Sequence, residues 1–175
     1  IQSVVQARLD HLSEQDRKAL EGASVLGQRI SVDALLYVCG LDTFDCERLV
    51  QQRMFKRFDE AYLFEHDLIR DGVYQSLMAA DRRRLHLRAA EWFASSDPAL
   101  HAEHLERADD RRAADAYRLA AERHFHRFDL ERALSLAETG LRMGATDSVH
   151  LQLLLLIGDI QRECGMPEQS LGSFR

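Results

Sequence analysis

The sequence predicts a mainly α-helical protein, in which three short helices and a small β-hairpin precede a series of antiparallel helical hairpins. Two observations predict the first part: three well-delimited helical patterns, and an aromatic stretch after them that lacks a helical stripe. A third observation predicts the second part: Ala-rich patterns of helical period fill most of the rest of the 175-residue chain. Each predicted element is justified below in chain order.

Three short helices are predicted at the start. Ser13 is a typical N-cap for the first, which Gly27 ends, and Ser31 and Gly40 delimit the second in the same way. A third helix is predicted to begin near residues 42–43 and to carry an apolar stripe toward one side. The segment "MFKRFDEAYLFEH", residues 54–66, then predicts two short strands around a turn at Asp59-Glu60. Three helices followed by a hairpin are the outline of a winged helix.

From Asp67 onward the pattern is helical. One face of the first segment carries Leu68, Ile69, Val73, Tyr74, Leu77 and Met78, and the next segment carries Leu85, Ala89, Trp92 and Phe93. Pro98 suits the first turn of another helix. Further helices are predicted near residues 99–107, 111–126, 129–143, 148–163 and 167–175.

The last helices look repeated. A shift of 37 residues superposes three pairs of positions: Ala121 on Gly158, Ala133 on Ser170, and Leu134 on Leu171. Small residues twelve apart recur where two helices of a hairpin approach closely, and this pattern resembles the tetratricopeptide repeat (TPR) from Ala113 to Arg175. We therefore predict a winged-helix domain at 1–80, connecting helices at 81–110 and TPR-like repeats at 111–175. Because the chain starts at Ile1 without methionine and stops within a helical pattern, we expect it to be a piece of a longer protein.

Composition excludes several classes. No stretch approaches the roughly 18 apolar residues of a membrane helix, and no signal segment opens the chain, so we expect no membrane association and a cytoplasmic location. The three cysteines, Cys39, Cys46 and Cys164, have neither the number nor the spacing of a disulfide framework or a zinc site.

No catalytic motif is present, and the chain is not expected to be an enzyme by itself. His101 and His104 have helical spacing that suits half of a metal site, but the sequence offers no further ligands, so a structural role is favoured. His124 and His126 lie on different helix faces and are weaker candidates.

Two groups of basic residues suggest nucleic acid. One is Arg82-Arg83-Arg84, and the other lies on and after the third helix, where a winged helix contacts bases: Arg48, Gln51, Gln52, Arg53, Lys56 and Arg57. The net charge of −6 disfavours this interpretation, because nucleic-acid-binding domains usually present a basic face. DNA contact by this chain is therefore not expected. A DNA-binding winged helix with a helical dimerisation or effector domain remains the alternative.

His66 stands where the hairpin meets the next helix. Spacing predicts that Asp67 caps that helix and that His66 ends the second strand as a structural histidine with a backbone partner. A ligand-binding role is the other interpretation that spacing leaves open.

The segments "FEHDLIRDGVYQSL" and "DRRRLHLRAAEWF" resemble the region that follows the nucleotide-binding core in STAND-class (AAA/NB-ARC-like) signalling ATPases, as in LuxR-like regulators and ATPase-linked nucleotidyl cyclases. The matching residues are Phe64, His66, Leu68, Ile69, Val73 and Tyr74, followed by Arg83, Arg84, His86, Ala89 and Ala90. The resemblance extends from Val4 to about Gly144, and the order of the motifs is more specific than any single one.

The run from His66 to Asp71 also resembles the Met-His-Asp motif of plant immune receptors, in which a winged-helix histidine contacts the phosphates of ADP. Glu65 stands in place of the methionine. The resemblance implies that His66 contacts a phosphate of ADP or ATP in the intact protein, with Mg, and that an upstream nucleotide-binding domain is missing. This chain itself is expected to hold no cofactor.

Together these observations predict a non-catalytic regulatory module. It couples the nucleotide state of an upstream ATPase to a protein partner, or to self-association, through the helical repeats. A plain helical scaffold is a third possibility.

Overall fold

The computed structural model describes Leu9, residues 12–144 and residues 146–165. Within these ranges it contains nine helices and one two-stranded antiparallel hairpin, which confirms the mainly α-helical class with a small β-hairpin. The chain forms two compact units, one up to Trp92 and one from Phe93 onward. This division falls inside the segment 81–110 that the sequence predicts to connect two domains. None of the helices in the described ranges is long and apolar enough to cross a bilayer.

The first two helices follow the predicted capping signals. Helix α1 spans Glu14–Leu26 and α2 spans Val32–Cys39. The Ser13 hydroxyl accepts a hydrogen bond from the Asp16 N–H at 3.1 Å, and the Ser31 hydroxyl accepts one from the Ala34 N–H at 3.2 Å. Both serines therefore satisfy N–H groups that a helix start leaves unpaired.

The third helix is shorter than predicted. Helix α3 spans only Glu47–Gln51, so the predicted start near residues 42–43 is wrong. The Asp45 carboxylate accepts a hydrogen bond from the Glu47 N–H at 3.0 Å and fixes the start of the helix there. Leu49 is fully buried and anchors this short helix in the core.

The hairpin has two strands around the predicted turn, but the second strand ends at Phe64 and not at His66 as predicted. Strand β1 spans Phe55–Phe58 and β2 spans Ala61–Phe64, with Phe55 opposite Phe64 and Phe58 opposite Ala61. Asp59 has a φ of 52°, as a tight two-residue turn demands. Ile30 forms an isolated antiparallel bridge with Tyr62 through two backbone hydrogen bonds of 2.8 and 2.9 Å, which ties the hairpin to the segment between α1 and α2.

Two helices complete the first unit. Helix α4 spans Asp67–Ser76 and α5 spans Ala79–Phe93. Of the predicted α4 face, Ile69 and Val73 are buried, whereas Leu68 is exposed. Helix α4 packs against α1 and β2 and thereby closes the core of this unit.

Four helices make up the described part of the second unit. They are α6 (Pro98–Arg107), α7 (Ala113–Phe125), α8 (Leu130–Arg142) and α9 (Asp147–Glu163). Consecutive helices contact one another, and α7 also contacts α9, as stacked helical hairpins require. Asp97 caps α6 by accepting from the N–H groups of Ala99 and Leu100, with Pro98 in the first turn as predicted.

Small residues line the helix contacts of this unit. Ala121 and Ala133, two members of the predicted repeat, are fully buried, and Gly158 is buried as well. A Cβ on Gly140 of α8 would lie 3.1 Å from the Tyr117 Cβ and 3.2 Å from the Leu153 methyl groups, which shows how closely the three helices approach. The predicted helix 167–175, with Ser170 and Leu171, lies outside the described residues.

Candidate functional site

His66 lies at the junction of β2 and α4. It is the N-cap residue of α4, with an extended backbone (φ −141°, ψ 139°), and the predicted N-cap, Asp67, is instead the first helical residue. The reason is geometric: the His66 carbonyl already accepts a hydrogen bond from the Ile69 N–H at 2.9 Å, so the helical turn begins one residue earlier than spacing suggested.

The His66 ring is available to a ligand. The residue is exposed, and its side chain makes no capping hydrogen bond. Within the part of the chain that the structure describes, no group forms a hydrogen bond or an ion pair with the ring. The backbone partner expected of a structural histidine is therefore not found among these residues. Glu65, by contrast, is half-buried, and its N–H donates to the Met54 carbonyl at 2.8 Å.

A pocket of about 220 Å³ lies beside this junction. Its lining residues come from the loop before α2, from both strands and from the start of α4: Gln28, Lys56, Leu63, Phe64, Asp67 and Arg70. Phe64 and Asp67 flank His66 in sequence, two residues before it and one after it. The pocket therefore adjoins the residue that the sequence singled out.

Most residues of the STAND-like motif build the core. Phe64 packs edge-on against Phe55, with ring centroids 5.2 Å apart. Val73, Ala89 and Ala90 are buried. Among the motif residues of the first segment, His66 and Leu68 are the exposed ones. The motif thus combines core-forming positions with one exposed histidine at the start of a helix.

The structure brings two motif residues together that the sequence analysis did not connect. The Tyr74 hydroxyl on α4 lies 2.9 Å from the His86 Nε2 on α5, and His86 is fully buried. The Arg82 guanidinium lies 4.8 Å from the Tyr74 ring centroid, and its Nη2 donates to the Leu77 carbonyl at 3.2 Å. We name Tyr74, Arg82 and His86 the α4–α5 joint, because they hold together the two helices on either side of Leu77.

The polar residues around α3 are partly committed to internal contacts. The Arg48 guanidinium donates to the carboxylate of Asp16 at 3.1 Å, and that carboxylate is buried. The Arg57 Nε donates to Glu47 at 2.7 Å, and the Tyr62 hydroxyl donates to the same Glu47 oxygen at 2.9 Å. These hydrogen bonds, that of Arg57 first, lower the pKa of Glu47. Arg48 on the five-residue helix α3 and Arg57 on β1 are therefore both held by intramolecular hydrogen bonds.

The other basic cluster is also divided between structural and exposed roles. Arg82 belongs to the α4–α5 joint, and Arg84 pairs with Asp81 at 3.0 Å. Arg83 is exposed and has no acidic partner among the described residues. One exposed arginine beside a structural one and a paired one fits a solvated helix face better than a nucleic-acid contact.

Two further histidines of the described residues, His104 and His124, have structural surroundings. His104 is buried and stacks on Phe93, with ring centroids 5.5 Å apart and ring planes 8° apart. Burial, followed by the charges of Arg107 and His101, lowers the pKa of His104 to about 4. The His124 Nδ1 lies 2.8 Å from the Asp129 carboxylate. A search of the described residues finds no cluster of His, Cys, Asp and Glu that could hold a metal ion.

The cysteines are unpaired. Burial raises the pKa of both Cys39 and Cys46 to about 11, so these thiols stay protonated at neutral pH. Cys164 is exposed and free. Reactive-thiol chemistry therefore has no support at the two buried positions.

Sequence reasoning missed two polar contacts. The Asp16 carboxylate on α1 accepts a hydrogen bond from Arg48 on α3, 32 residues away, which no local pattern predicted. Tyr74 and His86 both belong to the segments quoted above. Their contact depends on the angle between α4 and α5, which the sequence does not supply.

Comparison of the chain with protein-family models, with curated proteins and with solved structures yields no match.

Proposed function

We propose that this chain is a non-catalytic regulatory module of a STAND-type signalling ATPase. It couples the nucleotide state of an upstream core to the binding of a protein partner or another subunit. The observation that carries the proposal is His66: an exposed imidazole at the start of a helix, next to a partly cationic pocket and without a partner in the described part of the chain.

His66 has the chemistry of a phosphate contact. An imidazole N–H donates to a phosphate oxygen, and a protonated ring adds charge to that hydrogen bond. The first-turn N–H groups of α4 donate no hydrogen bond to the His66 side chain, so this residue does not cap the positive end of the helix, which favours an anion there. Both features favour contact with the phosphates of ADP or ATP bound to the upstream domain that the resemblance implies.

The proposed mechanism is a shift between two populations. ADP held by His66 favours a closed arrangement, and ATP or a partner on the helical repeats favours an open one. Helix α4 carries His66 at its start and Tyr74 near its end, and the α4–α5 joint continues from Tyr74 to His86. Movement of α5 is thus coupled to α4 through defined side-chain contacts.

The repeats supply the surface for a partner. Among the described residues of the second unit, four large apolar side chains are exposed: Leu119, Phe128, Leu151 and Leu155. Phe128 is 81% exposed and has a φ of 60°, a conformation that bulky residues rarely adopt. These features support a role in protein interaction for this unit.

The test is the affinity for ADP of the full-length protein, comparing wild type with His66→Ala. Loss of one charge-assisted hydrogen bond weakens binding by about tenfold or more. His150→Ala, which removes an exposed histidine of α9, serves as the matched control, and circular dichroism checks folding. Equal affinity in wild type and His66→Ala contradicts the role of His66, and absence of ADP binding in all three proteins contradicts the ATPase assignment.

A further inference from the structure

The pocket beside α4 contains two cations that face it from different elements. Lys56 lies on β1 opposite Leu63, and Arg70 lies in the first turns of α4. Lys56 is exposed, and no carboxylate among the described residues pairs with it. The Arg70 Nε and Nη2 both donate to one oxygen of Asp71, at 3.1 and 2.8 Å. Its Nη1 group makes no hydrogen bond within the described part of the chain.

The pocket also contains one carboxylate that neutralises neither cation. Asp67 lines the same space, yet it forms no ion pair with Lys56 or Arg70 in the described structure. Among the described residues the lining carries two positive charges and one negative charge, and Asp71, which pairs with Arg70 at 2.8 Å, adds a second carboxylate next to it. Two cations thus line one pocket in a chain whose net charge is −6.

Size and donor chemistry restrict the ligand. A volume of about 220 Å³ is several times the roughly 30 Å³ that one water occupies in the liquid. An arginine and a lysine from different elements, with Gln28 also in the lining, suit a compact anion with several acceptor oxygens. The phosphate group has this form, and its charge at pH 7 is about −1.5 to −2, which two cations and one carboxylate attract more strongly than a monoanion.

We propose that this pocket is a phosphate-binding site, in which Lys56 and Arg70 hold the oxyanion and Asp67 limits its affinity. The ligand is a phosphate or pyrophosphate group, either free or as part of a nucleotide. Binding of a nucleotide rests on the proposed function, whereas binding of a free phosphate group does not. If the ligand is a nucleotide, Lys56 and Arg70 contact the same phosphate chain as His66.

The test is isothermal titration calorimetry of the folded 175-residue chain at constant ionic strength. The probes are inorganic phosphate, pyrophosphate, ADP and adenosine. We expect saturable binding of pyrophosphate and ADP and none of adenosine. Lys56→Gln and Arg70→Gln each weaken pyrophosphate binding at least fivefold, whereas Asp67→Asn strengthens it, because the only negative charge of the lining is removed. Arg83→Gln removes an exposed arginine of α5 and leaves the affinity unchanged.

Three results would overturn the proposal: no saturable binding of any phosphate probe, equal weakening by Arg83→Gln, or weaker binding in Asp67→Asn. If ADP binds more tightly than pyrophosphate, the ligand is a nucleotide. If the two affinities are equal, the site recognises the phosphate group alone. The two proposals fail separately. If the chain binds pyrophosphate through Lys56 and Arg70 while His66→Ala leaves the ADP affinity of the full-length protein intact, the pocket stands and the His66 contact does not.

Discussion

The two units of the molecule fill their cores with different side chains. The first unit buries large aliphatic and aromatic residues, among them Leu20, Ile30, Leu35, Leu49 and Phe55. The second buries mainly alanine, and ten alanines are its most frequent core residues: Ala99, Ala102, Ala108, Ala113, Ala114, Ala116, Ala120, Ala121, Ala133 and Ala137. The two units thus form their cores differently. Large side chains fill the space between the short elements of the first unit, whereas small side chains let the longer helices of the second unit approach closely.

The two cores should therefore respond in opposite ways to a change in side-chain size. Removal of volume leaves a cavity where large side chains fill the interior. Addition of volume forces apart helices that touch through alanine and glycine. Gly22 is an exception in the first unit, since a Cβ there would lie 2.2 Å from the Cys39 sulfur. Close approach of α1 and α2 at Cys39 thus depends on this glycine.

In the described part of each unit one histidine is buried, and the two histidines differ in their surroundings. His86 in the first unit meets the Tyr74 hydroxyl at 2.9 Å. His104 in the second lies flat against the Phe93 ring. The environment of His104 disfavours protonation of its ring, because burial lowers the pKa of this histidine.

The largest effect is expected from Phe55→Ala in the first unit. Phe55 is 1% exposed and contacts both Phe64 and Tyr62, so its truncation should lower the free energy of unfolding by about 3–5 kcal/mol. The single tryptophan, Trp92, lies against Tyr37 with ring centroids 5.4 Å apart and reports on this unit by fluorescence during urea unfolding. Phe58→Ala on the same strand is the control, because Phe58 is 49% exposed, and a similar loss in both variants would contradict the assigned burial.

Overpacking of the second unit should give the next effect. Ala121→Leu inserts a branched side chain into a fully buried helix contact and should destabilise by about 1–3 kcal/mol. Chemical denaturation followed by circular dichroism at 222 nm measures the change. The control is Ala80→Leu at an exposed position of α5, which should be nearly neutral. An unchanged denaturation midpoint for Ala121→Leu would show that the helix contact at this alanine accommodates a larger side chain.

Acid should destabilise the protein through His104. The folded state holds the neutral ring, and its pKa falls from 6.5 to about 4, so the stabilisation is present above pH 6.5 and is lost as the pH falls toward 4. Between pH 7 and pH 5 the loss is about 2 kcal/mol.

His104→Leu removes the titrating group and should flatten this part of the pH dependence. The measurement is the free energy of unfolding of both proteins at the two pH values. Parallel pH profiles in wild type and variant would assign the acid sensitivity to other groups.

The smallest effect is expected at the α4–α5 joint. Tyr74→Phe removes a hydroxyl that meets His86 and should cost about 1 kcal/mol. The cation–π contact with Arg82 survives in this variant, because the ring remains. Thermal unfolding followed by Trp92 fluorescence measures the change in melting temperature. Tyr37→Phe is the matched control, because Tyr37 is 39% exposed and its hydroxyl lies 3.3 Å from Glu91. An equal shift in both variants would leave the joint without a special role.

Local signals predicted most of the secondary structure. Ser13, Ser31 and Pro98 mark helix starts because each acts on backbone groups within three residues of itself. The hairpin followed from the Asp59-Glu60 turn between two aromatic strands. The start of α3 was missed because the capping group, Asp45, lies inside the segment predicted as helix, and local propensity does not rank two adjacent starts.

The sequence by itself determined the mainly α-helical class, the caps, the turn and the spacing of small residues in the second unit, since all of these depend on neighbours along the chain. Tertiary structure alone decided which polar groups meet. It placed Lys56 and Arg70 around one pocket, paired Asp16 with Arg48, and buried His86 and His104 while leaving His66 exposed. These outcomes depend on the angles at which separate elements pack, and a one-dimensional pattern fixes the faces of each element but not those angles.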